Sequence, residues 1–167
     1  MKKFFKSIVS NFIFPILLAS VIVAGLFRFV IFSCEISGNS MFPYLYDNDR
    51  GYSYRIGKEN VNRFDICIIK IQEQEKNIVK RLIGLPNETV EYLDNKLYIN
   101  GEYIEEDFLN ETTTDDFYIE LEDDEYFFLG DNRTISADSR YYGPFSMDDI
   151  LSRGLFVVYP FSHFGAK

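Results

Sequence analysis

A chain of 167 residues has room for one folded domain and one additional element, but not for two sizeable hydrophobic cores. All 26 acidic residues lie in residues 33–167, which carry only 13 basic residues and therefore a formal charge of −13. This charge disfavours nucleic acid and anionic lipid headgroups as electrostatic partners, and we expect no nucleic-acid binding.

Residues 7–27 form a run of 21 amino acids without a charged side chain. At ~1.5 Å per residue, a helix of this length spans ~31 Å, which matches the hydrocarbon core of a bilayer. Three basic residues precede the run: Lys2, Lys3 and Lys6. By the positive-inside rule they place the N-terminus in the cytoplasm. We therefore predict a cytoplasmic tail and single-pass anchor in the cell membrane at residues 1–32, and an extracytoplasmic domain at residues 33–167.

A cleavable signal peptide is the alternative interpretation of this run. The apolar region of a signal peptide usually extends for about 7–15 residues before a site of small residues. Residues 7–27 are longer and are followed by further apolar residues, which favours a permanent anchor.

The segment 37–45 places Ser40 on a tight loop shortly after the apolar run. Gly38 supplies backbone freedom and Pro43 fixes φ three residues after the serine, so Ser40 lies on a constrained bend. Such a bend suits a nucleophile. The alternative is an ordinary surface turn between a membrane helix and a first strand, where Ser, Asn, Gly and Pro are also common.

Short β-prone runs occupy much of the remaining chain. They predict strands at residues 50–56 and 64–71, a strand that carries Lys80 and ends in a turn at 84–87, a strand from about residue 89, and strands at 118–121, 125–129 and 155–159. Residues 97–104 predict a hairpin with Asn-Gly at its tip, the strongest short hairpin signal. The fold class is therefore mainly β: a single antiparallel sheet or barrel-like domain preceded by one N-terminal transmembrane helix.

Two polar segments interrupt these strands. Residues 105–116 are acidic and threonine-rich, and twelve acidic residues fall between positions 102 and 125. This pattern predicts an exposed, solvated excursion. Calcium binding is disfavoured, because the carboxylates do not have EF-hand spacing. Residues 130–143 form a long loop of hydrogen-bonding side chains, and Ser146 is suited to cap a short helical turn after it.

Cysteine and histidine are too scarce to build several common kinds of site. Cys34 and Cys67 cannot form a disulfide framework, and we expect two unpaired, partly buried thiols. The single histidine, His163, disfavours a Ser-His-Asp triad and a histidine metal site, and we expect no metal or cofactor. A serine nucleophile in this chain therefore needs another base.

Lysine is the available base, since Ser-Lys pairs are a known variant of the triad. A lysine with a pKa of ~10.4 is almost wholly protonated at neutral pH, whereas a general base needs a pKa of ~7–8. Lowering the pKa by this amount corresponds to destabilising the ammonium by roughly 4 kcal/mol. Burial can supply this, and Lys80 has apolar neighbours: Ile78, Val79, Leu82 and Ile83. Arg81 is expected to point outward from the opposite strand face. The alternative is that Lys80 is a surface lysine.

Four segments together resemble the type I signal peptidases (leader peptidases). Residues 37–45, Ser-Gly-Asn-Ser-Met-Phe-Pro-Tyr-Leu, are similar to the family's serine motif Ser-Gly-x-Ser-Met-x-Pro-Thr-Leu. Residues 63–68 resemble the Gly-Asp-Ile-Val strand, and residues 79–86 contain Lys-Arg-x-x-Gly-x-Pro. Residues 130–143 match Gly-Asp-Asn-Arg-x-x-Ser-x-Asp-Ser-Arg-x-x-Gly. A single motif would be weak evidence for the resemblance, but four motifs in the family's order after a membrane anchor are specific evidence.

The resemblance implies a role for each matching residue. Ser40 attacks the scissile carbonyl, and neutral Lys80 takes the serine proton and passes it to the departing amine. Ser136 hydrogen-bonds the lysine amine and orients it. Asp138 and Arg140 form an ion pair that holds their loop against the dyad.

The chain departs from the family pattern at several positions. Tyr44 replaces threonine, and Asn87-Glu88 replaces Gly-Asp; Asn tolerates a left-handed turn nearly as well as Gly, so we expect the turn to persist. Gly38 replaces a serine found in some members, which leaves the Ser40 backbone N–H as the main oxyanion donor. The short connection before the last loop indicates a minimal, Gram-positive-like form.

The resemblance also implies the substrate. A secretory preprotein lies extended along a strand edge, with small residues one and three positions before the cut. The apolar side chains expected to wall the pockets are Ile36, Met41, Leu45 and Val79.

Two other classes of function stay open at this point. One is an inactive relative that acts in pilus or surface-protein assembly, which the retention of Ser40 and Lys80 disfavours, while a specialised peptidase that serves pilin-like substrates stays open. The other is a self-cleaving repressor of the SOS-response type, which would need a DNA-binding helix-turn-helix where this chain has an apolar run.

Overall fold

The computed structural model describes residues 9–109 and 113–167. A π-helical turn, Val9–Ile13, continues into helix α1, Phe14–Phe29. Ser10–Phe29 is long and apolar enough to cross a membrane, and no residue of α1 is buried against the rest of the described protein. Lys2, Lys3 and Lys6, on which the predicted orientation depends, lie outside the described residues.

Eleven strands follow the helix in the described part of the chain. They are β1 (Ile31–Glu35), β2 (Arg50–Tyr54), β3 (Ile66–Ile71), β4 (Lys76–Gly84), β5 (Thr89–Leu93), β6 (Lys96–Ile99), β7 (Glu102–Ile104), β8 (Phe117–Glu120), β9 (Phe127–Leu129), β10 (Ile150–Tyr159) and β11 (Gly165–Ala166). A short helix, α2 (Ser139–Tyr142), lies between β9 and β10. The predicted mainly β fold with one N-terminal apolar helix is confirmed.

The strands form two antiparallel sheets, where the sequence predicts one. The large sheet has the order β1-β2-β10-β3-β4-β9, and β11 pairs with the end of β10. The small sheet has the order β7-β6-β5-β8. It is built on two tight turns whose residues have positive φ: Asp94-Asn95 (51° and 60°) and Asn100-Gly101 (52° and 80°). The second turn confirms the predicted hairpin at 97–104.

The two sheets pack together where β4 meets β5. Ile83 and Leu129 from the large sheet share a buried apolar cluster with Val90 and Tyr92 from the small one. Gly84 lies at the closest approach, since a Cβ there would stand 2.5 Å from Val90 Cγ2. A larger side chain at this position would separate the sheets.

Several element bounds differ from the predicted ones. Strand β1 was not predicted, because its residues continue the apolar run of the helix and hydrophobicity alone does not separate the two. β10 begins at Ile150, directly after a 3₁₀ turn at Met147–Asp149. Ser146 precedes that turn and its hydroxyl donates to Asp149 Oδ2 at 2.8 Å, so the predicted helical turn is present.

Candidate active site

Ser40 lies on the loop that connects β1 to β2. Gly38 has a φ of +87°, a conformation that favours glycine, and its N–H donates to Asp47 Oδ1 at 2.7 Å. Beyond Ser40, the Leu45 N–H donates to the Met41 carbonyl at 2.9 Å, and both side chains are buried beneath the loop. Ser40 is therefore held on a bend that is anchored in the core on its C-terminal side.

Lys80 extends from β4 to this bend. Its Nζ lies 2.7 Å from Ser40 Oγ and 2.9 Å from the Val79 carbonyl oxygen. The residue is only 3% exposed, and no carboxylate pairs with its amine in the part of the chain that the structure describes. Ser40 and Lys80 are thus in direct contact, with the lysine shielded from water and the serine at the cleft.

The environment of Lys80 lowers the pKa of its amine to about 8. Burial is the main cause, because desolvation penalises the ammonium, and the like charge of Lys76 acts in the same direction. The carboxylates of Asp138 and Asp131 oppose this effect. A substantial fraction of the amine is consequently neutral near pH 8, with a lone pair that can accept the serine proton.

Arg81 points to the opposite face of β4, but the prediction that it lies outward is wrong. Its guanidinium is buried and donates to both oxygens of Asp131, at 2.8 and 2.6 Å. It also donates to the Phe64 carbonyl at 2.9 Å and lies 4.0 Å from the centre of the Phe108 ring and 4.6 Å from that of Tyr44. Tyr44 from the Ser40 loop and Phe108 from the segment between β7 and β8 cover this face, so the charge needs a fixed partner.

The loop 130–143 approaches the dyad from the other side. The Asn132 N–H donates to the Ser40 carbonyl at 3.0 Å. Arg140 donates to both oxygens of Asp138, at 2.9 and 2.8 Å, and Asp138 Oδ2 also accepts the Gly130 N–H at 3.0 Å. The ion pair implied by the family resemblance is present and closes the loop on itself.

Ser136 does not form the expected hydrogen bond with Lys80. The Lys80 amine is bonded to Ser40 and to the Val79 carbonyl of its own strand, and Ser136 Oγ is buried without a partner among the described residues. Ser136 Oγ instead lies against Gly130, so close that a Cβ on that glycine would overlap it.

A cleft of about 310 Å³ opens in front of the dyad. Three of the predicted wall residues line it: Ile36, Met41 and Val79. Leu45 does not, and its prediction is wrong: it is fully buried in the core under the Ser40 loop. The sequence prediction missed four apolar residues of the cleft, Ile78, Ile135, Ala137 and Tyr142. Ile135 could have been found as an apolar residue in an otherwise polar loop beside Ser136.

The two cysteines and the histidine form no part of the dyad, although Cys67 is the direct cross-strand partner of Lys80 between β3 and β4. Both cysteines are free, and burial raises the pKa of Cys34 to about 11 and that of the buried Cys67 further. His163 Nδ1 lies 2.6 Å from Asp49 Oδ1, and its ring stacks on Tyr46. Among the described residues no group of three or more His, Cys, Asp or Glu side chains could hold a metal ion.

Known proteins match this chain over most of its length. The family model for signal peptidase, peptidase S26, matches residues 9–159. Signal peptidase I P of Bacillus subtilis subsp. natto is 39% identical over 159 residues, which cover 86% of each chain. Signal peptidase I of Bacillus amyloliquefaciens is 33% identical over 169 residues, covering 94% of this chain and 91% of the relative. The crystal structure of a signal peptidase I from Enterococcus faecalis V583 superposes with a TM-score of 0.52 at 39% identity, over 56% of this chain and 95% of the other.

Proposed function

The chain belongs to the signal peptidase family, peptidase S26, and on this premise we propose that it is a membrane-anchored serine endopeptidase that removes signal peptides from exported preproteins with a Ser40–Lys80 dyad. The family supports the removal of signal peptides. The observation that carries the dyad is the 2.7 Å contact between Lys80 Nζ and Ser40 Oγ, in which the lysine is buried and no carboxylate of the described residues pairs with its amine.

The reaction begins with proton transfer from serine to lysine. Neutral Lys80 takes the hydroxyl proton as Ser40 Oγ attacks the scissile carbonyl carbon, and the carbonyl oxygen becomes an oxyanion. Within the described residues the Ser40 backbone N–H donates to no other acceptor, so it can donate to this oxyanion. Such a donor stabilises charge that develops only in the transition state.

The same amine then completes the cycle. Protonated Lys80 gives its proton to the nitrogen of the mature protein as the C–N bond breaks, which leaves the signal peptide as an ester on Ser40. Neutral Lys80 next deprotonates a water that attacks the ester, and the proton returns to Ser40 Oγ. Asp138 and Arg140 hold the neighbouring loop against the dyad during these steps.

The substrate lies along the free edge of β4. Residues 76–80 pair with β3 on one side, whereas the pairing with β9 begins only at Arg81. The unpaired edge faces the cleft and can bond an extended preprotein main chain, with Ile36, Met41 and Val79 beside alternate side chains. The small volume of the cleft favours small residues before the cut.

The apolar helix supports a single-pass membrane anchor. With the N-terminus in the cytoplasm, as Lys2, Lys3 and Lys6 favour, residues 1–32 are the cytoplasmic tail and anchor and residues 33–167 the extracytoplasmic peptidase domain, although Ile31 and Phe32 already lie in β1. Only Val30 separates α1 from β1, so the peptidase domain stays close to the bilayer that holds its substrates. Confinement of both to one surface raises their effective concentration.

The test is cleavage of a preprotein with an Ala-x-Ala site by the full chain in detergent, followed by mass spectrometry of the products. We expect cleavage after the second alanine, and a loss of at least about 10³-fold in Ser40→Ala because the nucleophile is gone. Ser33→Ala, an exposed serine on β1, is the matched control and should cleave like the wild type. Wild-type cleavage by Ser40→Ala would refute the proposal and favour an assembly role for an inactive relative.

A further inference from the structure

Only part of the acidic segment 105–116 is the solvated excursion that its composition predicts: about half of its described residues are exposed, whereas Glu106, Phe108 and Thr114 are half-buried. Its described residues, 105–109 and 113–116, connect β7 to β8 and lie beside the active-site loop 130–143. Three of its side chains contact residues around the dyad: Glu106, Phe108 and Thr114. None of these residues belongs to the family motifs identified in the sequence.

Glu106 forms a buried network with Arg133 and Tyr92. Its Oε1 accepts from Arg133 Nη2 at 2.5 Å, and its Oε2 accepts the Tyr92 hydroxyl at 2.6 Å. The Tyr92 oxygen also accepts from Arg133 Nη1 at 2.9 Å. The Arg133 side chain is fully buried and that of Glu106 is 8% exposed, so the carboxylate neutralises a cation that water does not reach.

Arg133 also stabilises the turn 130–133, whose backbone contacts Ser40. Its Nε donates to the Gly130 carbonyl at 3.0 Å. Within the same turn, the Asn132 N–H donates to the Ser40 carbonyl at 3.0 Å. Gly130 packs so closely that a Cβ would stand 2.5 Å from that carbonyl oxygen. A movement of this turn is therefore transmitted to the backbone of Ser40.

Thr114 and Phe108 provide two further contacts. Arg140 Nη1 donates to Thr114 Oγ1 at 2.6 Å, while Nη2 donates to the Arg133 carbonyl at 2.7 Å. The Phe108 ring covers the guanidinium of Arg81 on the other face of β4. The segment thus contacts the loop at two points and the neighbour of Lys80 at a third.

From these contacts we infer that the described residues of this segment, 105–109 and 113–116, position the catalytic loop, with Glu106 as the principal positioning residue. The inference rests on the proposed peptidase function. Without the Glu106 charge, the buried Arg133 guanidinium lacks a counter-ion and its hold on the 130–133 turn weakens. Ser40 then shifts relative to Lys80, and a displacement of ~1 Å at a reacting group can lower the rate by ~10²-fold.

The experiment compares Glu106→Gln with Glu105→Gln in the full chain in detergent. Glu105 is the exposed neighbour, so its variant is the matched control and should keep wild-type kinetics. For Glu106→Gln we expect kcat to fall about 10- to 100-fold with a smaller change in KM, because the Ser40–Lys80 contact is displaced while Ile36, Met41 and Val79 of the cleft wall lie outside the loop. Assays are run below the melting temperature of each variant, so that only folded protein is compared.

Thr114→Val is a second variant that leaves every charge in place. It removes the acceptor for Arg140, and we expect a smaller decrease of kcat, about twofold to tenfold, again with a smaller change in KM than in kcat. A folded Glu106→Gln with wild-type kcat, or with an effect on KM alone, would overturn the inference. Should Glu106→Gln fail to fold, a wild-type kcat in Thr114→Val would overturn it. Absence of cleavage by the wild type would instead refute the peptidase function itself.

Discussion

The two faces of β4 carry adjacent cations that are equally buried but differently paired. On one face, the Lys80 amine contacts a serine hydroxyl and a backbone carbonyl. On the other face, the Arg81 guanidinium has both oxygens of Asp131, a carbonyl and two aromatic rings. The comparison shows that burial alone does not distinguish a candidate base from a structural cation; the presence of a fixed counter-charge does.

The chemistry of the two side chains explains the difference. An arginine cannot lose its proton in a protein, so a buried guanidinium must be compensated by an anion. A lysine can lose its proton, and burial without a counter-ion lowers the pKa of Lys80 from 10.5 to about 8. The Lys80 face is therefore suited to proton transfer, and the Arg81 face to stability.

The lowered pKa of Lys80 also means that this lysine destabilises the folded protein while its amine is protonated. Between pH 8 and pH 10.5 the unfolded chain binds more protons at this lysine than the folded chain does, so the free energy of unfolding rises with pH in that range. Below pH 8 the full cost, roughly 3 kcal/mol, is present.

The largest expected effect is on the Lys80 face. Lys80→Met keeps the apolar stem and removes the amine, so we expect the cleavage rate to fall by at least about 10³-fold. The free energy of unfolding at pH 7 should not decrease, because the variant no longer buries an ammonium. A peptide-cleavage assay measures the rate, and thermal unfolding of the same preparation measures the stability. Retained cleavage, or a clear loss of stability, would remove the contrast between the two faces.

On the Arg81 face we expect a loss of stability and a smaller effect on the cleavage rate, because Asp131 also lies in the 130–133 turn that contacts the Ser40 backbone. Asp131→Asn leaves the buried guanidinium without a counter-ion, and the free energy of unfolding should fall by about 3–5 kcal/mol. Urea denaturation monitored by tyrosine fluorescence measures it, with the exposed Asp148→Asn as the matched control. An unfolding curve like that of the control would mean that the Arg81–Asp131 pair has no structural importance.

The sequence predicts the contact at the centre of the site better than its surroundings. The apolar neighbours of Lys80 and the constrained bend at Ser40 indicated where an amine and a hydroxyl could meet. The exposed position expected for Arg81 was wrong because strand alternation assigns a face but does not tell whether that face is covered. Here the cover comes from Tyr44 and Phe108, which are remote in sequence.

The remaining differences have similar causes. Leu45 was assigned to the cleft because it is apolar and near Ser40, but the loop turns it into the core. Ser136 was expected to bond Lys80, whereas the amine is bonded to the Val79 carbonyl of its own strand. The acidic composition around Glu106 concealed the buried carboxylate, since composition averages over side chains that point in different directions.

The most direct test of the account is the titration of Lys80 itself. NMR of the full chain in detergent, with lysine labelled with ¹³C at Cε, follows each amine as a function of pH. We expect one lysine signal to titrate with a midpoint of about 8 and to disappear in Lys80→Met, and the cleavage rate to rise with pH through the same midpoint. Titration of every lysine near ~10.4, with a flat cleavage profile between pH ~6 and ~10, would contradict the assignment of Lys80 as the base.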